Sequence, residues 1–355
     1  MIGTSDLSSE NVLEDKEESL LHLFVLVHGI FSSDHGFDFW EQHMKNRGRE
    51  HWEILKVASI TKALSFRRQI NPCINMQLQD LVKPLVDEVV PWVWRFAQKR
   101  RKLRLHFVCH SLGGLIVRTA LPTLCGQLDK LYSLELGHFL TLNSPHIGVQ
   151  PSPYARLRWK HFVNFKDMYR QVILRDEERF LTRLADPGDK FVHHLAKFRY
   201  RTAVGATHWD FAVPFCSAVI CAENPFQRPI FGSPFCRLDA ATGFESEKMT
   251  SLQAQLVKQG SVTPAEEFAL HVHNIDSEMM QPGAATHESW KACKNGSLCF
   301  PSQMLNGLAS VGWRRVAYTL HWTGKSPHTI SIGKPSCDRS RQLVGFLIDV
   351  LEDGI

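Results

Sequence analysis

Nowhere in this sequence are two cysteines spaced as CxxC. Its nine cysteines run from Cys73 to Cys337, and the closest pairs, Cys216/Cys221 and Cys293/Cys299, fit no zinc pattern. An odd number of thiols without a ligand or disulfide framework suits a reducing compartment. No stretch of about 18 apolar residues is present, so nothing reads as a membrane-spanning helix, and the apolar run Leu20–Val27 is far too short. A strong charge bias is absent as well. Lysine plus arginine is 41 and aspartate plus glutamate is 36, a net charge of +5. That balance gives no support to nucleic acid as a partner, which calls for concentrated basic charge. Residues 1–18 lack the basic start of a secretory signal, carrying six acids against Lys16 alone. They are expected to form a disordered acidic tail. The chain as a whole has ordinary globular usage, 44% apolar and 22% charged, and 355 residues can bury a full core without disulfides. The expectation is a cytoplasmic protein that touches membranes or lipid droplets, if at all, only peripherally.

What is there alternates. Leu20–Val27 is nearly all apolar and ends in His28-Gly29, as a central parallel strand buried on both faces does. A second strand is expected at 53–59. Apolar positions 78, 81, 82, 85, 86, 89, 93 and 96 form a helical stripe over 76–98, interrupted by Pro84 and Pro91. Trp92, Trp94 and Phe96 on it are read as core, although an interfacial anchor beside the basic run 99–104 is the sharper alternative. Strands follow at 103–109, 135–142 and 198–204, with a helix to about 125 between the first two and an irregular helical, lid-like segment at 150–197. Residues 222–312 read as a long insertion with some helix around 246–259. Arg314–Trp322 is the last strand, and Asp338–Leu351 a terminal amphipathic helix with Asp338 as N-cap. Alternation of this kind predicts an α/β class: one doubly wound, mostly parallel sheet with helices on both faces, spanning 19–355 as a single domain.

Between a strand and a helix lies Cys109-His-Ser-Leu-Gly113. This is the setting of a nucleophile elbow, where a tight turn exposes a serine and its neighbours two positions away are small. Ser111 is the candidate nucleophile. Cys109 stands where the motif has glycine, and its Cβ is expected to crowd the turn, so that Cys109→Gly would preserve or raise turnover. In such a sheet the loop after an earlier strand and the residue after the serine supply the oxyanion amides, here Ile30 and Leu112. His28 is read as structural. The acid follows the serine in chain order, at a strand end. Asp210 meets both conditions, whereas Glu223 and Asp239 lie in less strand-like surroundings and Asp167 and Asp176 in a helical stretch. His328, in a loop beyond Pro327, is preferred as base over His321, which sits within a strand pattern. His146 breaks the chain order. His271-Val-His273 and His193-His194 lack a metal-site context and read as exposed histidines.

His28-Gly29, Cys109-His-Ser-Leu-Gly-Gly-Leu-Ile-Val-Arg118, Leu142-Asn-Ser-Pro-His-Ile-Gly148 and Asp210-Phe-Ala-Val-Pro214 occur in that order. Together with His328-Thr-Ile-Ser-Ile332 they resemble the putative serine esterases, a lipase-like α/β-hydrolase family named for a domain of unknown function. The similarity spans roughly 20–215 and 312–350 and leaves 222–312 without a counterpart. The resemblance implies an α/β-hydrolase fold and ester hydrolysis, of lipid or other esters, by Ser111, Asp210 and His328 with no metal or organic cofactor. A thioesterase using the same triad, or an inactive binding protein on the same fold, are the rival functions. Trp209 departs from the family, which often has Asn before the acid. Arg118 matches a family arginine and is read as structural.

Overall fold

The strands are β1 (Leu21–Val27), β2 (Trp52–Lys56), β3 (Leu103–His110), β4 (Leu134–Leu142), β5 (Tyr200–Ala206), β6 (Leu270–Ile275), β7 (Lys291–Ala292), β8 (Leu298–Cys299) and β9 (Arg314–Leu320). The helices are α1 (Asp38–Asn46), α2 (Ser59–Ile70), α3 (Val82–Ala97), α4 (Leu112–Leu128), α5 (Lys166–Val172) and α6 (Phe180–Leu184). They continue with α7 (Lys190–Ala196), α8 (Phe215–Val219), α9 (Ser302–Ala309), α10 (Pro327–Ile330) and α11 (Asp338–Glu352). The computed structural model describes residues 20–30, 32–70, 75–99, 102–149, 166–221, 270–275, 291–292, 298–299, 302–320, 327–334 and 338–353. The acidic tail, the expected helix at 246–259, His321, Glu223 and Asp239 lie outside the described residues.

Seven strands form one sheet in the order β2-β1-β3-β4-β5-β9-β6. All pair in parallel except the edge strand β6, which runs antiparallel to β9. The chain leaves β1 toward β2 on one side and returns to place β3 on the other. The switch point of this doubly wound sheet is therefore the crevice beyond the carboxyl ends of β1 and β3, where ligands of such sheets bind. This is the α/β-hydrolase arrangement.

Strand alternation divides the core. Leu23, Val25 and Val27 face the cluster built with α3, α4 and the 166–221 segment, while Phe24 and Leu26 face α1 and α11. All seven residues of β1 are buried, in keeping with a sequence that is apolar at every position but His22. The stripe at 76–98 divides into a 3-10 turn, Leu78–Leu81, and α3, with Pro91 inside the helix. Phe96 is buried, and Trp92 and Trp94 pack against the core. Of the basic run, Arg104 is consumed by β3, buried and paired with Glu135 at 2.8 Å. Helices α5–α7 bury Met168, Phe180, Leu181, Leu184, Phe191 and Leu195 in the larger cluster.

One feature of the second face carries a pH signature. His22, His106 and His138 stack across β1, β3 and β4 with centroids 5.2 and 5.4 Å apart, and Tyr200 closes the row at 4.7 Å from His138. The backbone N–H of His138 donates to His106 Nδ1 at 3.0 Å. The His106 proton is therefore on Nε2, which donates to His22 Nδ1 at 3.0 Å. Both ring nitrogens of His138 lack a partner among the described residues. Burial, reinforced by Arg104, pushes His22 down to about 4; burial, reinforced by Arg314 and Arg104, pushes His138 down to about 3; and burial lowers His106 as well. The unfolded chain takes up these protons below about pH 6.5, where the folded protein still refuses them. The stacked histidines thus stabilise fully above that pH and lose their contribution as pH falls toward 4. His138→Phe keeps the stack and removes two orphaned buried nitrogens. It is expected to raise Tm at pH 5 and to flatten the decline of Tm between pH 6.5 and 4, read by thermal melts across that range. An unchanged slope would count against this account of the row.

Candidate active site

Ser111 follows β3 directly and occupies the N-cap position of α4 with φ 55 and ψ −130, an uncommon conformation for a residue with a side chain. Its N–H donates to the Leu142 carbonyl at 2.9 Å, which ties the elbow to β4. The tightness has a direct consequence at Gly113. A Cβ there would lie 2.3 Å from the Val27 carbonyl oxygen and 2.9 Å from that of His28. Only glycine lets α4 start this close to the end of β1. Gly29 meets the serine from the other side, because a Cβ on it would lie 2.8 Å from Ser111 Cβ and 3.1 Å from Ser111 Oγ. The His28-Gly29 turn and the elbow thus touch at the switch point. Ile30 and Leu112, the expected oxyanion residues, are both buried beside them.

Cys109 does not crowd the turn, contrary to the sequence expectation. It is an ordinary residue of β3, in register with Val27 and Thr141, and its side chain is fully buried in the larger core cluster. Burial pushes its thiol well above the ordinary value, so it stays protonated. The positive φ falls on Ser111 instead. Cys109→Gly therefore removes buried contacts and relaxes nothing.

His28 is fully buried. Its Nδ1 donates to the Gly29 carbonyl at 2.7 Å, and its Nε2 accepts from the Thr61 hydroxyl at 2.8 Å. Burial lowers its pKa, which keeps it neutral and in that tautomer. It braces the turn, in keeping with a structural reading.

His328 lies in α10, and its Nδ1 donates to Asp210 Oδ2 at 2.8 Å. The other carboxylate oxygen, Oδ1, accepts from the backbone amides of Ala212 and Val213 at 2.9 and 3.0 Å. With its Nδ1 proton committed to Asp210, His328 keeps the Nε2 lone pair. The residue before Ser111 joins this pair to the elbow: His110 Nε2 donates to the His328 carbonyl at 2.8 Å, and the two rings are 4.7 Å apart. Three segments far apart in sequence, around Ser111, Asp210 and His328, therefore meet beyond the carboxyl ends of β3, β5 and β9. Trp209 carries φ 65. Asn, frequent at this place in the family, adopts such a conformation readily, and an indole does so rarely.

The competing residues have other engagements. His146 is buried, bonded to Thr141 Oγ1 at 2.8 Å and to Arg118. Arg118 is buried too, and donates to the carbonyls of His146 and Leu184 at 3.1 and 2.7 Å. Desolvation lowers it to about 9. It fastens the segment after β4 and the end of α6 to the elbow helix, a structural role. Asp176 Oδ2 accepts from the Phe180 amide at 2.7 Å, and Asp167 pairs with Arg170. Sequence reasoning missed Asn143 and Tyr318. Asn143 has φ 49, is fully buried, and donates to the Tyr318 hydroxyl at 2.7 Å while accepting from the Ala206 amide at 3.1 Å. Its place in Leu142-Asn-Ser-Pro145, directly after a strand, was the available signal.

The family described as Putative serine esterase (DUF676) matches residues 17–223, a stretch that holds the elbow, the His28-Gly29 turn and Asp210. The chain belongs to this family. The esterase match ends before His328. Among solved structures, phospholipase PlaB from Legionella pneumophila is similar at 15% identity and a TM-score of 0.37, over 54% of this chain and 38% of that one. A second PlaB structure gives 15% and 0.36, over 56% and 41%. The product of the Listeria innocua gene lin2722 gives 13% and 0.31, over 56% and 77%. The alignments thus take in well under half of PlaB's length. The strand order of the sheet, rather than these low scores, carries the fold. No helix among the described residues is long and apolar enough to cross a membrane.

Proposed function

We propose that this serine esterase family member hydrolyses carboxylic esters, with lipid acyl esters as the substrate class, through Ser111, His328 and Asp210. The observation that carries the reading is the Asp210–His328 hydrogen bond of 2.8 Å, in a helix bonded through its backbone to the residue before Ser111. In this mechanism His328 Nε2 takes the Ser111 hydroxyl proton as Oγ attacks the ester carbonyl carbon. The carbonyl π electrons move to oxygen, which the N–H groups of Ile30 and Leu112 receive. The Leu112 amide opens α4, so the positive end of that helix faces the developing charge. Collapse breaks the bond to the alcohol, which leaves with the proton from His328. Water then loses a proton to His328 and attacks the acyl-enzyme. Its collapse returns the proton to Ser111 and releases the acid. Asp210 holds His328 in the required tautomer and stabilises its positive charge.

Apolar acyl groups fit the surroundings, since Phe211, next to Asp210, is 54% exposed. Hydrolysis of esters and thioesters matched in acyl chain and leaving group tests the assignment. Faster ester turnover is the expected result. A preference for the thioester would move the protein to acylated proteins or acyl-CoA, and no turnover of either would leave a binding protein.

A further inference from the structure

The base sits in a helix of only four residues, α10. So short an element cannot fix a side chain to the fraction of an ångström that proton transfer demands. The sheet does this instead, by gripping the backbone on both sides of the imidazole. The Tyr318 hydroxyl, from β9, donates to the Pro327 carbonyl at 2.8 Å. His110 Nε2, from the end of β3, donates to the His328 carbonyl at 2.8 Å. These are the two peptide planes that flank His328. Holding both planes fixes the φ and ψ of the residue between them, and with them the direction of its Cα–Cβ bond. Asn143 unites the two grips, since its Nδ2 donates to the Tyr318 hydroxyl at 2.7 Å and approaches the His328 carbonyl at 3.4 Å. Ser331 Oγ approaches the same carbonyl at 3.4 Å.

We infer that His110 and Tyr318 are positioning residues, a two-point clamp on the carbonyls of Pro327 and His328 that aims the imidazole at Ser111. The inference rests on His328 being the base. His110 is suited to the task because a carbonyl only accepts, so its proton must be on Nε2. Burial, with His328, His28 and Lys334 nearby, keeps it neutral. It stays a one-proton donor of fixed tautomer at neutral pH. The clamp also gives the residue before the nucleophile and the positive-φ Asn143 a shared purpose.

Tyr318→Phe tests the first grip at constant ring size, and His110→Phe the second. Each is expected to lower kcat about 10- to 100-fold with KM changed less than about twofold, because the misplaced group acts in the chemical step. Each is also expected to weaken or broaden the downfield proton resonance of the His328 Nδ1–H bonded to Asp210, a signature a merely structural loss would not move. His110→Gln, which can still present an N–H near the same place, should recover most of kcat. The proposal is overturned if both Phe variants keep wild-type kcat and the resonance, or if they lose only melting temperature. Should one variant fail to fold, the other together with His110→Gln decides. If instead wild-type protein shows the resonance but turns over no ester, the function assigned above fails and the clamp stands.

Discussion

Ser111→Ala is expected to lower ester hydrolysis by about 10⁵–10⁶-fold, to the residual rate that an oxyanion hole and binding alone sustain. The same variant should fold normally. What Ser111 gives the fold is backbone: its N–H on the Leu142 carbonyl at 2.9 Å and its carbonyl accepting from the Gly114 amide at 3.3 Å. Both survive in alanine. Steady-state kinetics with a chromogenic ester, set beside a thermal melt, read both halves. Activity within tenfold of wild type in a folded Ser111→Ala protein would remove the serine from the mechanism.

Asp210→Asn is expected to cost about 10⁴-fold in kcat with little change in structure. The reason lies in which oxygen does what. Oδ1 accepts from the Ala212 and Val213 amides, so the asparagine carbonyl oxygen takes that place and its NH₂ is left facing His328 Nδ1. A donor there turns Nδ1 into an acceptor, and the single imidazole proton moves to Nε2. The lone pair that must receive the serine proton is then gone. Asp210→Ala would also remove the caps on two backbone amides, so the asparagine variant is the cleaner experiment. A wild-type kcat in Asp210→Asn would mean that the observed pair is structural.

The sheet was largely legible because it is buried on both faces. Where every side chain of a strand is enclosed, the sequence is predominantly apolar, as in β1 with His22 its one polar residue, and the expected and observed bounds of β3, β4 and β9 differ by two residues or fewer where described. Pattern failed where packing decided. Helices α1 and α2 went unassigned, as α2 mixes Lys62 and Phe66 on its exposed side with Ile60 and Leu64 beneath. Strand β6, with alternating histidines in His271-Val-His273, was read as part of an insertion. Its identity as a strand comes from antiparallel pairing with β9, some forty residues further along. At the candidate site, the turn around Ser111 and the loop around Asp210 are local motifs and could be read from sequence. The grip of Tyr318 and Asn143 on α10 could not, because it joins the residue after β4, β9 and α10 through single hydrogen bonds that leave no periodic trace. Cys109 was misjudged for a related reason. Its Cβ was expected to strain the turn, but the positive φ falls two residues later, at Ser111.

Mass-spectrometric mapping of the adduct formed with a fluorophosphonate probe tests the central claim most directly, because it needs no knowledge of the natural ester. The account predicts a single modified peptide, the one that carries Ser111, with labelling that disappears in Asp210→Asn and in Ser111→Ala. Stoichiometric modification at another residue, or no adduct on folded wild-type protein, would contradict it.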